Sequence, residues 1–180
     1  MWYVMQVYTG TETEICEKCR NRIMEEGEDI FVPLAERMTK VRGERTLVTS
    51  RLFPGYIFVE TKEIEAFHAR LRQIKAMTKI LRIGDRIVPI RPEEEERIRC
   101  LCREGHVARY SEGYIKGDTL IITEGALKDF SGKVKKILRH KRLIVLEVPL
   151  LGQMVEVTLG LGIVAREGTE EVREIRAEGA

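Results

Sequence analysis

Lys133-Val134-Lys135-Lys136-Ile137-Leu138-Arg139-His140-Lys141-Arg142 places six Lys or Arg residues in ten positions, with no acid among them. The whole chain is close to neutral, at a formal net charge of +2, so this run concentrates positive charge locally. Turn-forming residues lead into it from Gly125 to Gly132, and an apolar strand, Leu143 to Val148, follows. Basic side chains on such a hairpin can neutralise phosphates along a nucleic-acid backbone. Val134 and Ile137 must face a core, which leaves Lys133, Lys135, Arg139 and Lys141 to project together, flanked by Lys136 and Arg142. A guanidinium fork grips a guanine edge with two bonds, so Arg139 and Arg142 are the candidate base readers. The lysines would hold phosphates and set register. His140 at the tip is placed to stack or donate, although exposed loop histidines are often idle. A charge run can equally be a solvated face, and that is the competing reading.

A second basic series, Arg37, Lys40, Arg42, Arg45 and Arg51, falls on a predicted hairpin and is interrupted by Glu36 and Glu44. A solvated hairpin of mixed charge is the alternative there. Phe53, Tyr56 and Phe58 surround a turn set by Pro54 and Gly55. Strand alternation puts Tyr56 and Phe58 on one face and Ile57 and Val59 on the other. One face can pack on helices while the other anchors a partner, because aromatic anchors carry a large share of interface energy. All of them could instead be core.

Residue sets for catalysis are scarce. There is no Gly-x-x-x-x-Gly-Lys-Ser/Thr loop and no Gly-x-Gly-x-x-Gly, and Gly160-Leu161-Gly162 alone is weak. His68, His106 and His140 are scattered over different elements. Glu93 to Glu96 suit the start of a helix better than a pair of catalytic carboxylates. No cofactor is expected. Cys16-x-x-Cys19 and Cys100-x-Cys102 invite a four-thiolate zinc site. Both pairs fall on predicted helices, and residues two apart point to different sides. Free thiols are the expected state, and a zinc-stabilised, ribosome-associated protein is a rival reading.

The 180 residues suffice for one medium domain or two small ones, and 43 % hydrophobic with 33 % charged residues is ordinary for a folded soluble chain. No apolar run approaches the roughly 20 residues of a membrane span. The start, Met1 to Val7, lacks a basic segment and a cleavage site, so a strand is expected and not a signal peptide. The cytoplasm is the default compartment.

Strands are expected at Trp2–Tyr8, 30–32, 35–41, 45–52, 56–59, 80–83 and 87–90. Helices are expected from a Thr11/Glu14 capping box to about Glu26, from Ile64 to about Ala76, and from Pro92 to about Arg103. After Gly105 the texture changes to short strands at Thr119–Thr123, Gly132–Leu138, Leu143–Val148 and Met154–Thr158, with Gly162–Ala165 a further candidate. The fold class is α+β, an antiparallel sheet with flanking helices followed by a small β-barrel. The expected divisions are 1–105, a linker at 106–116, a barrel at 117–167 and a charged, frayed tail at 168–180.

These patterns together resemble the NusG family of transcription elongation factors. Trp2-Tyr3-Val4 resembles its opening strand. Leu52-Phe53-Pro54-Gly55-Tyr56-Ile57-Phe58-Val59 is similar to its most recognisable signature. Lys116-Gly117-Asp118, Ile122-Thr123-Glu124-Gly125 and Phe130-Ser131-Gly132-Lys133-Val134 resemble the KOW motif of its second domain. The resemblance implies an NGN-type domain that binds the clamp helices of the largest RNA polymerase subunit, here through Phe53, Tyr56 and Phe58. It implies that Arg37, Lys40, Arg42 and Arg45 lie near DNA at the transcription bubble. In general members the barrel recruits Rho or a ribosomal protein. The basic hairpin departs from their mixed or acidic one and resembles the specialised antiterminators called LoaP, associated with an RNA hairpin in the nascent transcript. RNA binding by Lys133, Lys135, Lys136, Arg139, His140, Lys141 and Arg142 is then expected, in a monomer with no membrane partner. Some paralogues fold the second domain as helices. The Val, Ile and Thr content of 119–158, interrupted by Pro149 and Gly152, points to strands here.

Overall fold

The structure, a computed structural model, describes residues 1–117 and 119–164 and the backbone of 174–175. In chain order the elements are β1 (Trp2–Val7), α1 (Glu12–Arg22), β2 (Asp29–Phe31), β3 (Leu34–Val41) and β4 (Glu44–Arg51). Next come β5 (Tyr56–Glu60), α2 (Ile64–Leu71), β6 (Thr78–Ile80), β7 (Arg82–Ile83), β8 (Arg86–Ile87) and α3 (Pro92–Leu101). The remainder is β9 (Val107–Ala108), β10 (Ser111–Lys116), β11 (Thr119–Glu124), β12 (Lys133–Leu138), β13 (Leu143–Leu150), β14 (Gln153–Ile163) and β15 (Glu174–Ile175). Contacts divide the chain into two compact units, Met1–Pro33 with Phe53–Glu95, and Leu34–Leu52 with Glu96–Ala180. No helix among the described residues is long and apolar enough to cross a membrane.

In the first unit an antiparallel sheet runs in the order β2-β5-β1-β6. The β1–β5 register sets Val4 opposite Phe58 and Met5 opposite Ile57, so each face of the sheet is assigned by parity. Met5, Val7, Ile30, Ile57 and Val59 share a buried core with Ile15, Cys16 and Cys19 of α1 and Phe67 and Leu71 of α2. The opposite face gathers aromatics. Trp2 meets Phe31 edge-on at 4.9 Å between ring centroids, and Phe58 lies 5.7 Å from Phe31 and 5.4 Å from Phe53. The Trp2 indole donates to Glu60 Oε2 at 2.9 Å, which satisfies the one polar atom of that side chain.

In the second unit a curled sheet runs β12-β13-β14-β10-β11-β15. β13 alternates half-buried and buried along its length, so Ile144, Leu146, Val148 and Leu150 point into the core. β10 pairs in parallel with β14, Ser111 opposite Leu161. The stretch 106–116, expected as linker, thus carries β9 and β10. The β3–β4 arm closes through Arg42 and Gly43, at φ of 52° and 90°. Two consecutive positive φ values match the twist of the flanking strands in a two-residue hairpin.

Several expectations shift. α1 ends at Arg22 and α2 at Leu71, each a few residues early. The Thr11 hydroxyl caps no helix N–H; it donates to the Tyr8 carbonyl at 2.7 Å. Glu12 organises this end of α1 instead: it is fully buried and accepts from Gly10 N at 2.8 Å and Gly55 N at 2.7 Å. The stretch 80–83 divides at Leu81, whose N–H turns to the Val4 carbonyl. Met154–Thr158 and Gly162–Ala165 merge into β14, as far as Ile163. Asp118, Ala165 and the tail 168–180 lie outside the described residues, except the backbone of β15, which pairs with β11. Cys16, Cys19 and Cys102 are buried thiols, and burial pushes Cys19 and Cys102 up to about 12. Among the described residues no three His, Cys, Asp or Glu side chains are grouped to hold a metal.

Arg70 of α2 ties the first unit together. Its guanidinium spans both oxygens of Glu28, at 2.7 and 2.6 Å, and donates to the Ile23 carbonyl at 2.8 Å. Burial alone would raise the Glu28 carboxyl. The Glu25 N–H, the Arg70 guanidinium and the Thr61 hydroxyl outweigh it and hold the group below its ordinary value. A depressed folded-state value means stability that is complete above the unfolded carboxyl range and lost as pH falls through the folded value. Arg70→Met should therefore cost about 2–4 kcal/mol at neutral pH. The gap to wild type should narrow as the pH is taken from neutral down through and below the ordinary carboxyl range, as Glu28 protonates in both proteins. Urea unfolding at neutral pH and below that range measures it, and an equal gap at both would remove Glu28 from the account.

Candidate nucleic-acid interface

Strand β12 carries an irregularity in its pairing with β13 between Val134 and Lys136. Val134 is buried, while Ile137 and Leu138 are half-buried. The chain then makes one tight helical turn, Arg139–Lys141, and leaves it through Arg142 in the left-handed region at φ 55°. The Arg142 N–H donates to the Arg139 carbonyl, and the Arg142 carbonyl accepts from Leu161 N on β14 at 2.9 Å. The tip is therefore anchored by backbone bonds, and among the described residues its side chains make no hydrogen bond or ion pair.

The basic run separates into two sets. Lys135 pairs with Glu156 of β14 and lies 3.5 Å from Glu147 of β13, while Lys133 is 4.0 Å from Glu147. The hydrogen bond and charge of Glu156, with Glu147 behind them, hold the Lys135 ammonium above its ordinary value. Exposed pairs of this kind contribute little to stability, about 0–1 kcal/mol, but they do mask charge. Lys136, Arg139, His140, Lys141 and Arg142 have no carboxylate partner among the described residues. All are exposed except Arg142, which is half-buried. The unmasked positive charge thus sits at the tip. Register masks the strand lysines, since Lys133 lies opposite Glu147 and Glu147 opposite Glu156.

On the arm, Arg37, Lys40, Arg42, Arg45 and Arg51 are all exposed. Lys40 stands directly opposite Arg45 in the ladder. Glu36, expected as an interruption of the basic series, is buried and turned inward: Oε2 accepts from Tyr110 N at 2.9 Å and Oε1 from Arg109 Nη1 at 2.7 Å.

The aromatic signature resolves less evenly. Phe53 and Phe58 are buried at 1 % and 0 % exposure, and of the three only Tyr56 reaches solvent. Gln6 pairs with Tyr56 and is exposed, and Tyr8, one residue past β1, is 64 % exposed. Tyr8 was not singled out from the sequence, although it continues the alternating series Trp2, Val4, Gln6. The Gly55 N–H bond to Glu12, with Gly55 at φ +83°, holds the turn that presents Tyr56.

A helix-flanked antiparallel sheet followed by a curled, barrel-like sheet is the NGN-plus-KOW class of architecture. A family model described as "Transcription termination factor nusG" matches residues 1–99. The NusG transcription termination/antitermination protein of Haemophilus influenzae is 29 % identical over 172 residues, covering 92 % of this chain and 93 % of its own. That of Pasteurella multocida is 28 % identical over 165 residues, covering 88 % and 90 %. A solved structure titled "Domain interaction in Thermotoga maritima NusG" shares the fold at a TM-score of 0.53 and 21 % identity, covering 88 % of this chain and 92 % of that one. The chain belongs to the NusG family and is a NusG-like transcription termination/antitermination factor.

If Glu147 and Glu156 mask the strand lysines, changing both to Gln should raise affinity for an RNA oligonucleotide. The log–log salt slope should steepen by about 0.7 for each lysine released. Binding titrations across a salt series provide the measurement, and an unchanged slope would show that the lysines are not held in solution.

Proposed function

We propose that this factor rides on RNA polymerase as a specialised antiterminator of the LoaP kind, reading a structured element of the nascent RNA with the basic tip of its barrel. The observation that carries this reading is the set Arg139, Lys141 and Arg142 at one turn, with Lys136 on the strand leading into it, all unmasked among the described residues. Arg139 and Arg142 read base edges, and Lys136 and Lys141 hold phosphates. Lys133 and Lys135 contribute once RNA phosphates compete with Glu147 and Glu156, and His140 lies between the readers.

The first unit grips the clamp helices of the largest polymerase subunit, with the half-buried Tyr56 as its aromatic contact and the exposed Gln6 and Tyr8 beside it. Phe53 and Phe58 act from beneath, as the packed support of that surface. The arm cations Arg37, Lys40, Arg42 and Arg45 are the part expected to meet DNA at the bubble. Two weak contacts made together raise effective concentration, so neither needs to be tight alone. The protein works as a cytoplasmic monomer, bridging the polymerase cleft and suppressing pausing or termination.

RNA binding by the purified protein tests the reading, with leader-transcript hairpins compared against unrelated hairpins of equal length. Preference for one hairpin, lost when Arg139 and Arg142 are changed to Gln, is the expected result. Weak and indiscriminate binding would favour the second reading, a general elongation factor that recruits Rho or the ribosome by protein contact. The match to general NusG proteins over nearly the whole chain supports that alternative.

For the polymerase contact, Tyr56→Ala should weaken binding to the purified enzyme about tenfold and leave the melting temperature close to wild type. Phe58→Ala should instead cost about 3–5 kcal/mol of stability, since it empties a fully buried site. Equal losses of stability in the two variants would assign Tyr56 to the core.

A further inference from the structure

The arm and the barrel tip border one cleft of about 430 Å³ inside the second unit. Arg37, Lys40 and Arg45 line one side, His140, Lys141 and Arg142 the other, and among the described residues no carboxylate lines it. None of these five Lys and Arg side chains has an ion-pair partner among the described residues. Lys40 and Arg45 are also directly opposite one another in the β3–β4 ladder, a like-charge placement that is unfavourable until an anion joins it.

The walls are fixed. Glu36 binds the Tyr110 N–H and Arg109, which holds β3 against the barrel strands. Gly160 of β14 passes so close beneath that an added Cβ would stand 2.6 Å from the Glu36 carbonyl oxygen and 2.4 Å from the Tyr110 ring. On the other wall the Arg142 carbonyl is tied to Leu161 N. Chemistry narrows the occupant. Among the described residues the lining has cations from two elements, no Phe, Tyr or Trp, one imidazole at His140, and only Met38 and Leu143 as apolar side chains. Such a surface suits a phosphodiester backbone, which needs charge, better than a run of stacked bases or an apolar ligand, which need broad π-faces or apolar walls.

We propose that Arg37, Lys40 and Arg45 of the arm and Lys141 and Arg142 of the tip form a single phosphodiester-binding cleft, through which one RNA strand passes from the barrel onto the arm. This rests on the RNA-binding reading of the tip and extends it. It takes three cations from an expected DNA contact and gives them to RNA, with Arg42 at the hairpin turn left outside. The cleft contributes affinity without sequence preference; it moves Arg142 from a base edge to the phosphates, while Arg139, which does not line it, retains the selective contact.

The test uses the full chain and two fluorescein-labelled probes, an oligouridylate and an oligodeoxythymidylate of equal length, with duplex DNA as a third. The variants are an arm pair (Arg37→Gln with Arg45→Gln) and a tip pair (Lys141→Gln with Arg142→Gln). Each pair should lower oligouridylate affinity about tenfold and reduce the log–log salt slope by about 1.4, as expected for two lost phosphate contacts. An arm pair that binds oligouridylate like wild type, while the tip pair loses it, would overturn the cleft and leave tip binding intact. An arm pair that loses only duplex DNA would overturn it in favour of the DNA contact. Failure of wild type to bind oligouridylate, or an unaffected tip pair, would remove the RNA reading and the cleft together. Thiouridine-substituted RNA crosslinked to the unmutated chain gives a readout free of folding effects. Adducts on both 34–52 and 139–143 peptides are expected, and adducts on the tip alone would count against the cleft.

Discussion

The Glu36 carboxylate is the interaction on which the placing of the second unit's basic arm depends. It sits in a strand whose exposed neighbours are cations, yet it is turned inward, onto a backbone N–H and a guanidinium. A hydrogen bond to a charged acceptor is worth more than a neutral one, and a buried N–H left without it is costly. The β3–β4 arm meets β9 over only two residue pairs, Leu34 with Val107 and Ala35 with Ala108. Without Glu36 that short ladder would bear the arm's orientation. Glu12 plays a related part in the first unit, where its two oxygens join the end of β1 to the Pro54–Gly55 turn.

Both units place a rigid backbone feature under an adaptable side-chain surface. The tip is anchored through main-chain bonds while Arg139, His140 and Lys141 have no ion-pair partner among the described residues, and the aromatic turn is held at Gly55 while Tyr56 stays partly exposed. Rigid support lowers the ordering cost of binding. Charge masking adds a second layer: acids on β13 and β14 hold the strand lysines and confine the free positive charge to one end of the hairpin. A nearly neutral protein can in this way present a strongly basic point without a basic surface throughout.

Much of this was legible in the residues. The arm, the β5 signature and the β-rich second half all follow from local propensity and punctuation, although the arm's expected three-residue tip, Arg42-Gly43-Glu44, closes through two residues with Glu44 paired in β4. The apolar parity of β13 is visible in its alternation. What escaped depends on distant neighbours. Nothing near Lys135 announces Glu156, because the pair is made by the register of three strands. Ser111–Lys116 has few apolar residues and reads as a connection until its parallel partner in β14 is known. The aromatic face of β5 looked available for binding, but Trp2 and Phe31 come from separate strands and bury it. The Thr11/Glu14 spacing suggested a capping box, and the adjacent Glu12 took the loop N–H groups instead.

The arm is an insertion: residues 34–52 interrupt the first unit and pack with strands made from residues beyond 96. A chain is synthesised from its N-terminus, and domains generally fold as they emerge. The arm therefore leaves the ribosome long before β9 and β14 exist to receive it. A lone two-stranded hairpin is marginal in water, and this one bears Val41 and Leu47 at 47 % exposure even when packed. Its ordering must await β14, whose parallel pairing with β10 joins residues some fifty apart and is itself a slow, non-local step. The surface shared by the arm and the barrel tip is thus late to mature, and the nascent protein passes through a stage in which the first unit can be folded while the arm is still unformed.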